Sequence, residues 1–319
     1  MSAKAAPAVA VRPRRSLLYV PGNSAALVKG AGLFSPDVLV YDLEDAVALA
    51  EKDAARLLVR EALQAAPLCN PHGCERMVRI NGLETPFWAD DLACVMPAGP
   101  DAIRLPKVES PEQVVQLAEA LARAEKEHRL PRGRTQIVAI LETVRGVARV
   151  EAIAAAHPRL TALTLGAEDF TRDLGTSRSR GGEELMHARG RLVLAARDAG
   201  LQAIDTVFSD VNDDEGLLAE TRRVKQLGFD GKSVIHPRQI RLVHHVFDPS
   251  ADEIEHAQRV VAAADKARRE GAGVVALDGR MVDTPVVKKA ERILRLAQRL
   301  GLAAAGGEAT GATGEEMPR

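Results

Sequence analysis

The sequence predicts a (β/α)8 TIM barrel followed by a C-terminal helical extension, and three observations support this fold class. Eight short apolar runs follow one another along the chain, and most are continuous rather than alternating, as buried parallel strands are. Helix-start motifs lie between most of these runs. Charged or polar residues come directly after nearly every run, at the end of the strands where such a barrel carries its active site.

The predicted strands occupy the first three quarters of the chain, and no ninth strand is predicted after them. A barrel of eight βα units takes about 250 residues. The chain has 319 residues, so it can hold one barrel with an extension. The eight runs are Leu17–Val20, Val38–Leu43, Arg76–Ile80, Ala102–Pro106, Ile137–Leu141, Ala162–Leu165, Ala203–Val207 and Lys232–Ile235.

Capping residues mark the helix starts. Ser110 and Gln113 form a capping box around Pro111, which suits the first helical position. Two further helices, Ser250–Arg269 and Thr284–Leu300, are predicted after the eighth strand. These two helices make up the predicted extension.

We expect four segments along the chain. Residues 14–245 form the barrel, and residues 246–301 form the helical extension or lid. Residues 302–319 are rich in Gly, Ala, Thr and Glu and have nothing to bury, so they are predicted to be a disordered tail. Residues 1–13 are predicted to be a second tail, because their Ala/Val run is too short for a signal peptide.

Composition excludes several classes of function. The formal net charge of −1 disfavours a nucleic-acid or anionic-membrane surface, where a basic excess is expected. No apolar stretch reaches the length needed to cross a membrane. Three cysteines without a secretory signal indicate a reduced, cytoplasmic protein. Cys69, His72 and Cys74 lie close together, but no second Cys/His pair completes a zinc site.

Polar residues at the predicted strand ends are the candidates for chemistry, because side chains there face the active site of a barrel. They are Pro21-Gly22-Asn23, Glu44-Asp45, Arg79 with Asn81, Lys107 with Glu109, Glu142, Glu168-Asp169, Asp205 and His236.

Glu142 and Asp169 follow the fifth and sixth strands, which are neighbours in such a barrel. Adjacent strands lie about 4.8 Å apart, so two carboxylates at the same height can share one cation. Two carboxylates completed by water and substrate oxygens suit Mg²⁺. The alternative is that each carboxylate pairs with a neighbouring Arg or Lys.

Arg79 is flanked by apolar residues, so its charge must be paired or functional. A guanidinium suits bidentate binding of a substrate carboxylate, while an internal ion pair with Glu44 or Asp45 is the alternative. Asp42, Glu44 and Asp45 crowd three acids into four positions, which indicates that they hold waters or Arg79 beside the metal. For Asp45, helix capping is the other interpretation.

Further cations are candidates for binding an anionic substrate. Arg14, Arg15 and Lys29 lie near the loop that begins at Pro21, whose backbone N–H groups could hold a phosphate. Lys107 is the corresponding cation after the fourth strand. For Arg14 and Arg15 the alternative is solvated terminal charge.

The chain resembles the citrate lyase beta-subunit group of the HpcH/HpaI aldolase superfamily, close to the malyl-CoA and citramalyl-CoA lyases. The resemblance extends from about residue 14 to about residue 300. Its carriers are RRSLLYVPGNS (14–24), VYDLEDAV (40–47), EKDAAR (51–56), VRIN (78–81), IRLPKVES (103–110), LETVRG (141–146), LGAEDFTRDLG (165–175), AIDTVFSDVNDDEG (203–216) and LGFDGKSVIHPRQI (227–240).

The resemblance implies a Mg²⁺-binding TIM barrel that assembles as a trimer or hexamer. It implies that Glu142 and Asp169 bind the metal, that Arg79 holds the substrate, and that backbone N–H groups around Ala167–Asp169, including Glu168, bind a keto-acid carboxylate. It also implies that Asp283 is a catalytic aspartate delivered to a neighbouring subunit's active site. The alternative for Asp283 is a place in the turn that starts the last helix.

The activity implied by the resemblance is a magnesium-dependent carbon–carbon lyase. Such an enzyme cleaves or forms a 3-hydroxyacyl-CoA, such as citryl-CoA, malyl-CoA or citramalyl-CoA, with acetyl-CoA or propionyl-CoA and a keto acid on the other side. Three alternatives stay open: a malyl-CoA thioesterase, an aldolase that acts on free acids without CoA, and a carrier-protein-dependent citrate lyase beta subunit within a larger complex.

Overall fold

The computed structural model describes residues 12–269, 275–278 and 280–302. It confirms the predicted fold class, because eight strands close into a barrel in sequence order. Every neighbouring pair is parallel, including the pair of β1 with β8 that closes the barrel. The barrel strands are β1 Ser16–Pro21, β2 Val38–Asp42, β3 Glu75–Arg79, β4 Ala102–Leu105, β5 Gln136–Leu141, β6 Leu160–Leu165, β7 Gln202–Asp205 and β8 Gly231–Val234.

The helices between successive barrel strands pack their apolar sides on the barrel. In α2, for example, Ala55, Val59 and Leu63 are buried at a spacing of four residues, as one face of a helix requires. The helices are α1 Ala25–Gly30, α2 Lys52–Gln64, α3 Ala66–Cys69, α4 Trp88–Val95, α5 Pro111–Glu127, α6 Val144–Ala148, α7 Val150–Ala154, α8 Ala167–Leu174, α9 Met186–Asp198, α10 Asp214–Leu227, α11 Pro237–Phe247, α12 Ala251–Arg269 and α13 Thr284–Arg299.

The barrel interior sets which side chains reach the site. Leu17, Val40, Met77 and Ala102 belong to one apolar cluster inside the barrel. Since side chains alternate along a strand, the residue two positions further on also points inward. That rule places Tyr19, Asp42, Arg79 and Arg104 on the inner face, one layer closer to the carboxyl end.

The amino-terminal end of the barrel is closed by Arg14, which is 3% exposed. Its guanidinium contacts the first residues of three alternate strands: Glu75 at 2.7 and 2.8 Å, Gln136 at 2.7 Å and Gln202 at 3.1 Å. Arg15 pairs with Asp37 at 2.6 Å, just before β2. Both arginines therefore lie at the opposite end of the barrel from the strand ends that carry a site. We correct the prediction that Arg15, with Arg14, binds the substrate or its CoA tail.

The chain divides into two compact units, one of them the barrel, residues 14–247. Of the residues that the structure describes, the second unit contains those from Asp248 onward, together with Arg12 and Pro13. It contains the two predicted helices, α12 and α13. It also contains an antiparallel pair of strands, β9 Val275–Leu277 and β10 Arg280–Val282. The prediction that no strand follows the eighth was therefore wrong.

The second unit has a small core of its own, formed by Ala257, Val260, Val282 and Ala290. The predicted tails fall almost wholly on residues 1–11 and 303–319, which lie outside the described residues. Among the helices described, none combines the length and the apolar character that crossing a membrane requires.

Candidate active site at the carboxyl end of the barrel

A pocket of about 410 Å³ opens at the carboxyl ends of the strands. A second pocket of about 360 Å³ contains Glu44 and Lys107, and Asp45 lines both pockets. The predicted site residues that line the first pocket are Pro21, Asp42, Asp45, Arg79, Glu142, Ala167, Glu168 and Asp169. The structure thus brings together residues that are more than one hundred positions apart in the sequence.

Arg79, the last residue of β3, is held by acids from the loop after β2 and from β2 itself. Its Nε and Nη2 donate to the two carboxylate oxygens of Asp42, at 2.7 and 2.6 Å. Its Nη1 lies 2.8 Å from Glu44 Oε2, and its Cζ lies 4.9 Å from the centre of the Tyr19 ring. Burial disfavours the charged guanidinium, but these partners outweigh burial and raise the pKa of Arg79 further. Arg79 is therefore a fixed, permanently charged group at the pocket wall.

The acids beside Arg79 have different environments. Burial would raise the pKa of Asp42, but the bidentate contact with Arg79 outweighs it and lowers that pKa. Burial raises the pKa of Glu44, and Arg79 and Lys107 offset only part of this effect. Glu44 forms an ion pair with the Lys107 ammonium. Asp45 is 58% exposed and lies 3.8 Å from both cations. Asp42 and Glu44 thus hold Arg79, while a role of Glu44 and Asp45 in the chemistry stays a prediction.

Glu142 is the buried carboxylate of the pocket and is 4% exposed. Its Oε1 accepts the backbone N–H of Lys107 at 2.7 Å. Lys107 makes this contact with a φ of 51°, a conformation that non-glycine residues rarely take. Within the described residues Glu142 has no ion-pair partner. Burial, with the negative charge of Glu44, raises the pKa of Glu142 to about 7.

Gly166 makes room for Glu142. A Cβ atom on Gly166 would lie 2.5 Å from Glu142 Oε2 and 2.7 Å from Glu142 Cβ. Such contacts are far shorter than van der Waals distances, so a larger residue here would displace the carboxylate. The glycine that precedes α8 is therefore part of the architecture of the site.

Helix α8 begins at the pocket, and its first turn carries Ala167, Glu168 and Asp169. The Asp169 carboxylate is 16% exposed and pairs with Arg172. The N–H groups of a first helical turn have no acceptor within the helix and attract anions. Here the N–H of Ala167 already donates to Thr206 Oγ1 at 3.0 Å. Of the predicted donors for a keto-acid carboxylate, Glu168 and Asp169 are thus better placed than Ala167.

Three residues predicted at strand ends have other roles. The last residue of β7, Asp205, follows the inward-facing Ile204 and points to the outside of the barrel. There its carboxylate pairs with Lys232 at 2.7 Å and with Arg189 at 2.9 Å. His236 accepts the backbone N–H of Arg238 at 3.2 Å. Gly22 is required by packing, because a Cβ there would lie 2.6 Å from the carbonyl oxygen of Asp42.

Asp283 lies in the second unit, between β10 and α13. It is the N-cap residue of α13, and its Oδ1 accepts the N–H of Val286 at 3.2 Å. The capping role in the helix-start turn, given above as the alternative, is therefore present in the structure. The catalytic role of Asp283 remains a prediction.

Sequence reasoning missed four pocket residues whose side chains carry a polar group: Tyr19, Arg104, Thr206 and Ser233. Arg104 interrupts an apolar run just as Arg79 does, and that pattern could have identified it. Tyr19, Thr206 and Ser233 carry no such pattern, because an aromatic or hydroxyl side chain within a strand is ordinary.

Comparison with known proteins identifies the family of this chain. The family model described as HpcH/HpaI aldolase/citrate lyase matches residues 15–237. The chain belongs to this family. The citrate lyase subunit beta of Leuconostoc mesenteroides subsp. cremoris is 48% identical over 286 residues, which cover 90% of this chain and 94% of that protein. The (3S)-malyl-CoA thioesterase of Cereibacter sphaeroides strain ATCC 17025 is 38% identical over 291 residues, which cover 90% and 96%.

A solved structure of the family extends the comparison. The protein CitE from Mycobacterium tuberculosis, in complex with magnesium, acetoacetate and coenzyme A, is 36% identical. The match covers 90% of this chain and 100% of that one, with a TM-score of 0.71. Relatives of this chain thus include both a citrate lyase subunit and a thioesterase of a CoA ester.

Proposed function

We propose that the protein is a magnesium-dependent carbon–carbon lyase that cleaves or forms a 3-hydroxyacyl-CoA thioester. The observation that carries the proposal is the presence, in one pocket, of a fixed guanidinium and a buried carboxylate that has no ion-pair partner among the described residues. Arg79 is available to an oxygen atom of the substrate, and Glu142 is available to a cation. The 48% identity to a citrate lyase subunit beta supports the same chemistry.

The donor set fits Mg²⁺. Glu142 and Asp169 line the same pocket and offer oxygen ligands, which hard divalent cations prefer. Among the described residues no group of three or more His, Cys, Asp and Glu side chains could hold a metal. A two-carboxylate site leaves the other positions to water and substrate, as Mg²⁺ sites commonly do. The CitE structure from M. tuberculosis contains magnesium, which supports the assignment.

Each group of the site contributes to a different part of the reaction. In the cleavage direction the substrate hydroxyl loses its proton to water, the bond between C2 and C3 breaks, and a 2-keto acid and a thioester enolate form. Arg79 has N–H donors left over from its contact with Asp42, and these stabilise the negative charge on the reacting oxygen. The N–H groups of Glu168 and Asp169 hold the adjacent carboxylate. Mg²⁺, when bound, supplies Lewis-acid polarisation of the same oxygen. By the family resemblance, Asp283 of a neighbouring subunit protonates the enolate carbon as a general acid.

A thioesterase is the second candidate, favoured by the 38% identity to a malyl-CoA thioesterase. The same pocket would then direct a water molecule at the thioester carbonyl, with no carbon–carbon cleavage. The word "subunit" in the name of the Leuconostoc protein favours a third candidate, an enzyme that takes its acyl group from a carrier protein within a larger complex.

We also propose that the protein is a cytoplasmic homo-oligomer, a trimer or hexamer, on the strength of the family resemblance.

The test is to mix the purified protein with Mg²⁺ and citryl-, malyl- or citramalyl-CoA and to measure keto acid, acetyl-CoA and free CoA. We expect keto acid and acetyl-CoA in equal amounts, with loss of activity on adding EDTA and in the variant Glu142→Gln. Free CoA without acetyl-CoA would establish the thioesterase instead. No product from any free CoA ester would refute a stand-alone enzyme and point to a carrier protein.

The variant Asp283→Asn separates the proposed proton transfer by Asp283 from its role in capping α13. Asparagine caps a helix as well as aspartate does, so the variant keeps the fold of α13 while it removes the proton-transferring group. Unchanged unfolding with a loss of kcat would support the catalytic role. Unchanged kcat would show that Asp283 only caps the helix.

A further inference from the structure

A group of charged side chains lies on the outside of the barrel, behind β7 and β8. Glu220 Oε1 accepts from Lys232 Nζ at 2.6 Å, and Glu220 Oε2 lies 3.2 Å from Arg189 Nη2. The same Oε2 lies 3.3 Å from Nη2 of Arg178, which belongs to the loop between α8 and α9. Lys232 and Arg189 also pair with Asp205. We call these five residues the charge cluster, and all of them except Arg178 are buried.

The charge cluster contains one cation more than it has acids. Burial would raise the pKa of Glu220, but Lys232 and Arg189 outweigh burial and lower that pKa. Asp205 responds in the same way to burial and to the same two cations. Both carboxylates are therefore ionised at neutral pH. Two negative charges thus face three positive ones.

The remaining positive charge meets Glu168, in the first turn of α8. Arg178 Nη1 donates to Glu168 Oε1 at 3.0 Å, and Ser209 Oγ donates to the same oxygen at 2.9 Å. Glu168 lines the active-site pocket, and its side chain is 57% exposed. Among the described residues, the ion pairs of the charge cluster reach no other acid outside it. The charge cluster and Glu168 together are therefore electrically neutral.

A carboxylate in the first turn of α8 interferes with the proposed substrate site. The N-cap residue Gly166 has no side chain to cap the helix, and the proposed ligand of the N–H groups of Glu168 and Asp169 is an anion. A nearby carboxylate is drawn to the same N–H groups and repels that anion. Helix α5 shows the first effect, because the pKa of Glu112, its second residue, is lowered by the Ser110 hydroxyl and by its own backbone N–H. Glu168 is likewise the second residue of its helix.

We infer that Arg178 is a positioning residue of the keto-acid site, which acts by holding the Glu168 carboxylate away from the N–H groups of α8 and by neutralising its charge. The inference rests on the proposed function, which places a substrate carboxylate at the start of α8. Arg178 does not line the pocket, so it acts through Glu168 and not on the substrate. Glu220 fixes the guanidinium of Arg178 from the other side.

The experiment measures the binding of keto acids to the full-length protein at saturating Mg²⁺ by calorimetry. Pyruvate, glyoxylate and oxaloacetate are the probes, and the one that the wild type binds most tightly is used for the variants. Arg178→Met should weaken its binding about ten-fold, because an unneutralised carboxylate then lies beside the ligand. Arg180→Met is the matched control. Arg180 lies in the same loop, is 79% exposed and pairs with Asp213, so we expect wild-type affinity within about two-fold.

Rescue by Glu168→Gln separates this role from a structural one. Glutamine keeps the backbone N–H groups and removes the negative charge that Arg178 neutralises. Glu168→Gln alone should bind the keto acid a few-fold more tightly than the wild type, because the charge of Arg178 is then left to attract the ligand. The double variant Arg178→Met/Glu168→Gln has neither charge and should regain wild-type affinity within about two-fold. If Arg178 only supports the fold of its loop, the double variant stays as weak as Arg178→Met.

Three results would overturn the inference: no keto acid binds the wild type, Arg178→Met keeps wild-type affinity, or the double variant does not recover. Arg178→Met leaves two acids facing two cations in the charge cluster, so we expect its melting temperature to stay close to that of the wild type. If it unfolds instead, Ser209→Ala decides, because this variant removes the other donor to Glu168. A loss of affinity that Glu168→Gln reverses would support the inference, and any other result there would refute it.

Binding is measured without turnover, so the two proposals fail in different ways. A protein that binds a keto acid and shows the rescue, but forms no product from a CoA ester, would refute the proposed lyase activity alone. A protein with lyase activity whose double variant shows no rescue would refute the role of Arg178 alone.

Discussion

Replacing Gly166 with alanine tests whether Glu142 is a metal ligand while both proposed ligands, Glu142 and Asp169, keep their identity. The backbone accepts the change, because Gly166 has φ −102°, an ordinary conformation for any residue. The side chain does not fit, since its Cβ would lie 2.5 Å from Glu142 Oε2, 2.7 Å from Glu142 Cβ and 3.1 Å from Ile140 Cγ2. The contact with Glu142 Cβ is the critical one. A rotation of the carboxylate alone cannot relieve it, so the whole Glu142 side chain must move.

The expected losses of stability and of Mg²⁺ affinity follow from these contacts. Overpacking a core by one carbon costs about 1–3 kcal/mol of unfolding free energy. Disturbing a group that orients a metal ligand costs about 10–100-fold in metal affinity. We therefore expect Gly166→Ala to stay folded, to bind Mg²⁺ at least ten-fold more weakly, and to recover part of its activity at high Mg²⁺ concentration.

Calorimetric titration with Mg²⁺ measures the affinity, and urea unfolding measures the stability. Gly190→Ala is the matched control, because a Cβ at Gly190 in α9 meets nothing within 4 Å. That control should keep its Mg²⁺ affinity and gain up to about 1 kcal/mol in stability, as Gly-to-Ala changes in helices do. Wild-type Mg²⁺ affinity in a folded Gly166→Ala variant would refute the reasoning that Glu142, placed by Gly166, holds the metal.

Two further predictions concern buried charges. Lys232→Met leaves Asp205 with Arg189 alone, and we expect a loss of about 3–5 kcal/mol in urea unfolding at pH 7. Burial would raise the pKa of Asp205, but Lys232 and Arg189 outweigh it and lower that pKa, so the stabilisation is present above pH ~4 and is lost as pH falls below it. The difference between wild type and variant should therefore narrow below pH ~4; an equal difference at lower pH would contradict this assignment. Arg14→Met breaks the buried pair with Glu75 and should cost a similar ~3–5 kcal/mol while leaving KM for the thioester unchanged. A raised KM would restore Arg14 to the substrate site.

The barrel strands could be predicted from the sequence because a strand that is buried on both faces consists of a continuous run of apolar residues. The second predicted run, Val38–Leu43, differs from β2 by one residue. The hairpin of β9 and β10 could not be found this way. Each of its strands has three residues, too few to show an alternation of apolar and polar positions.

The sequence located polar residues at strand ends, but the direction of each side chain depended on facts outside the local pattern. Asp205 is one residue past the inward-facing Ile204, so alternation turns it away from the pocket. Arg15 precedes β1 and therefore lies at the amino-terminal end of the barrel. Its positive charge suggested a site for an anion, but its position before the strand places it at the wrong end. Glu142 and Asp169 follow neighbouring strands and line one pocket, which the strand order alone predicts.

Arg79 and Arg104 show most clearly which features of the site cannot be predicted from the sequence. Each interrupts an apolar strand in the same way, in Val78-Arg79-Ile80 and in Ile103-Arg104-Leu105. Local pattern gives both the same interpretation, a buried cation that needs a partner. Register separates them, because the pairing of β2 with β3 sets Asp42 beside Arg79, and the pairing of β4 with β5 sets Val138 beside Arg104. A slip of one residue in either pairing would turn the side chains to the other face of the sheet and change which cation is neutralised. Whether a buried cation lies beside an acid is therefore a property of the closed barrel rather than of any one motif.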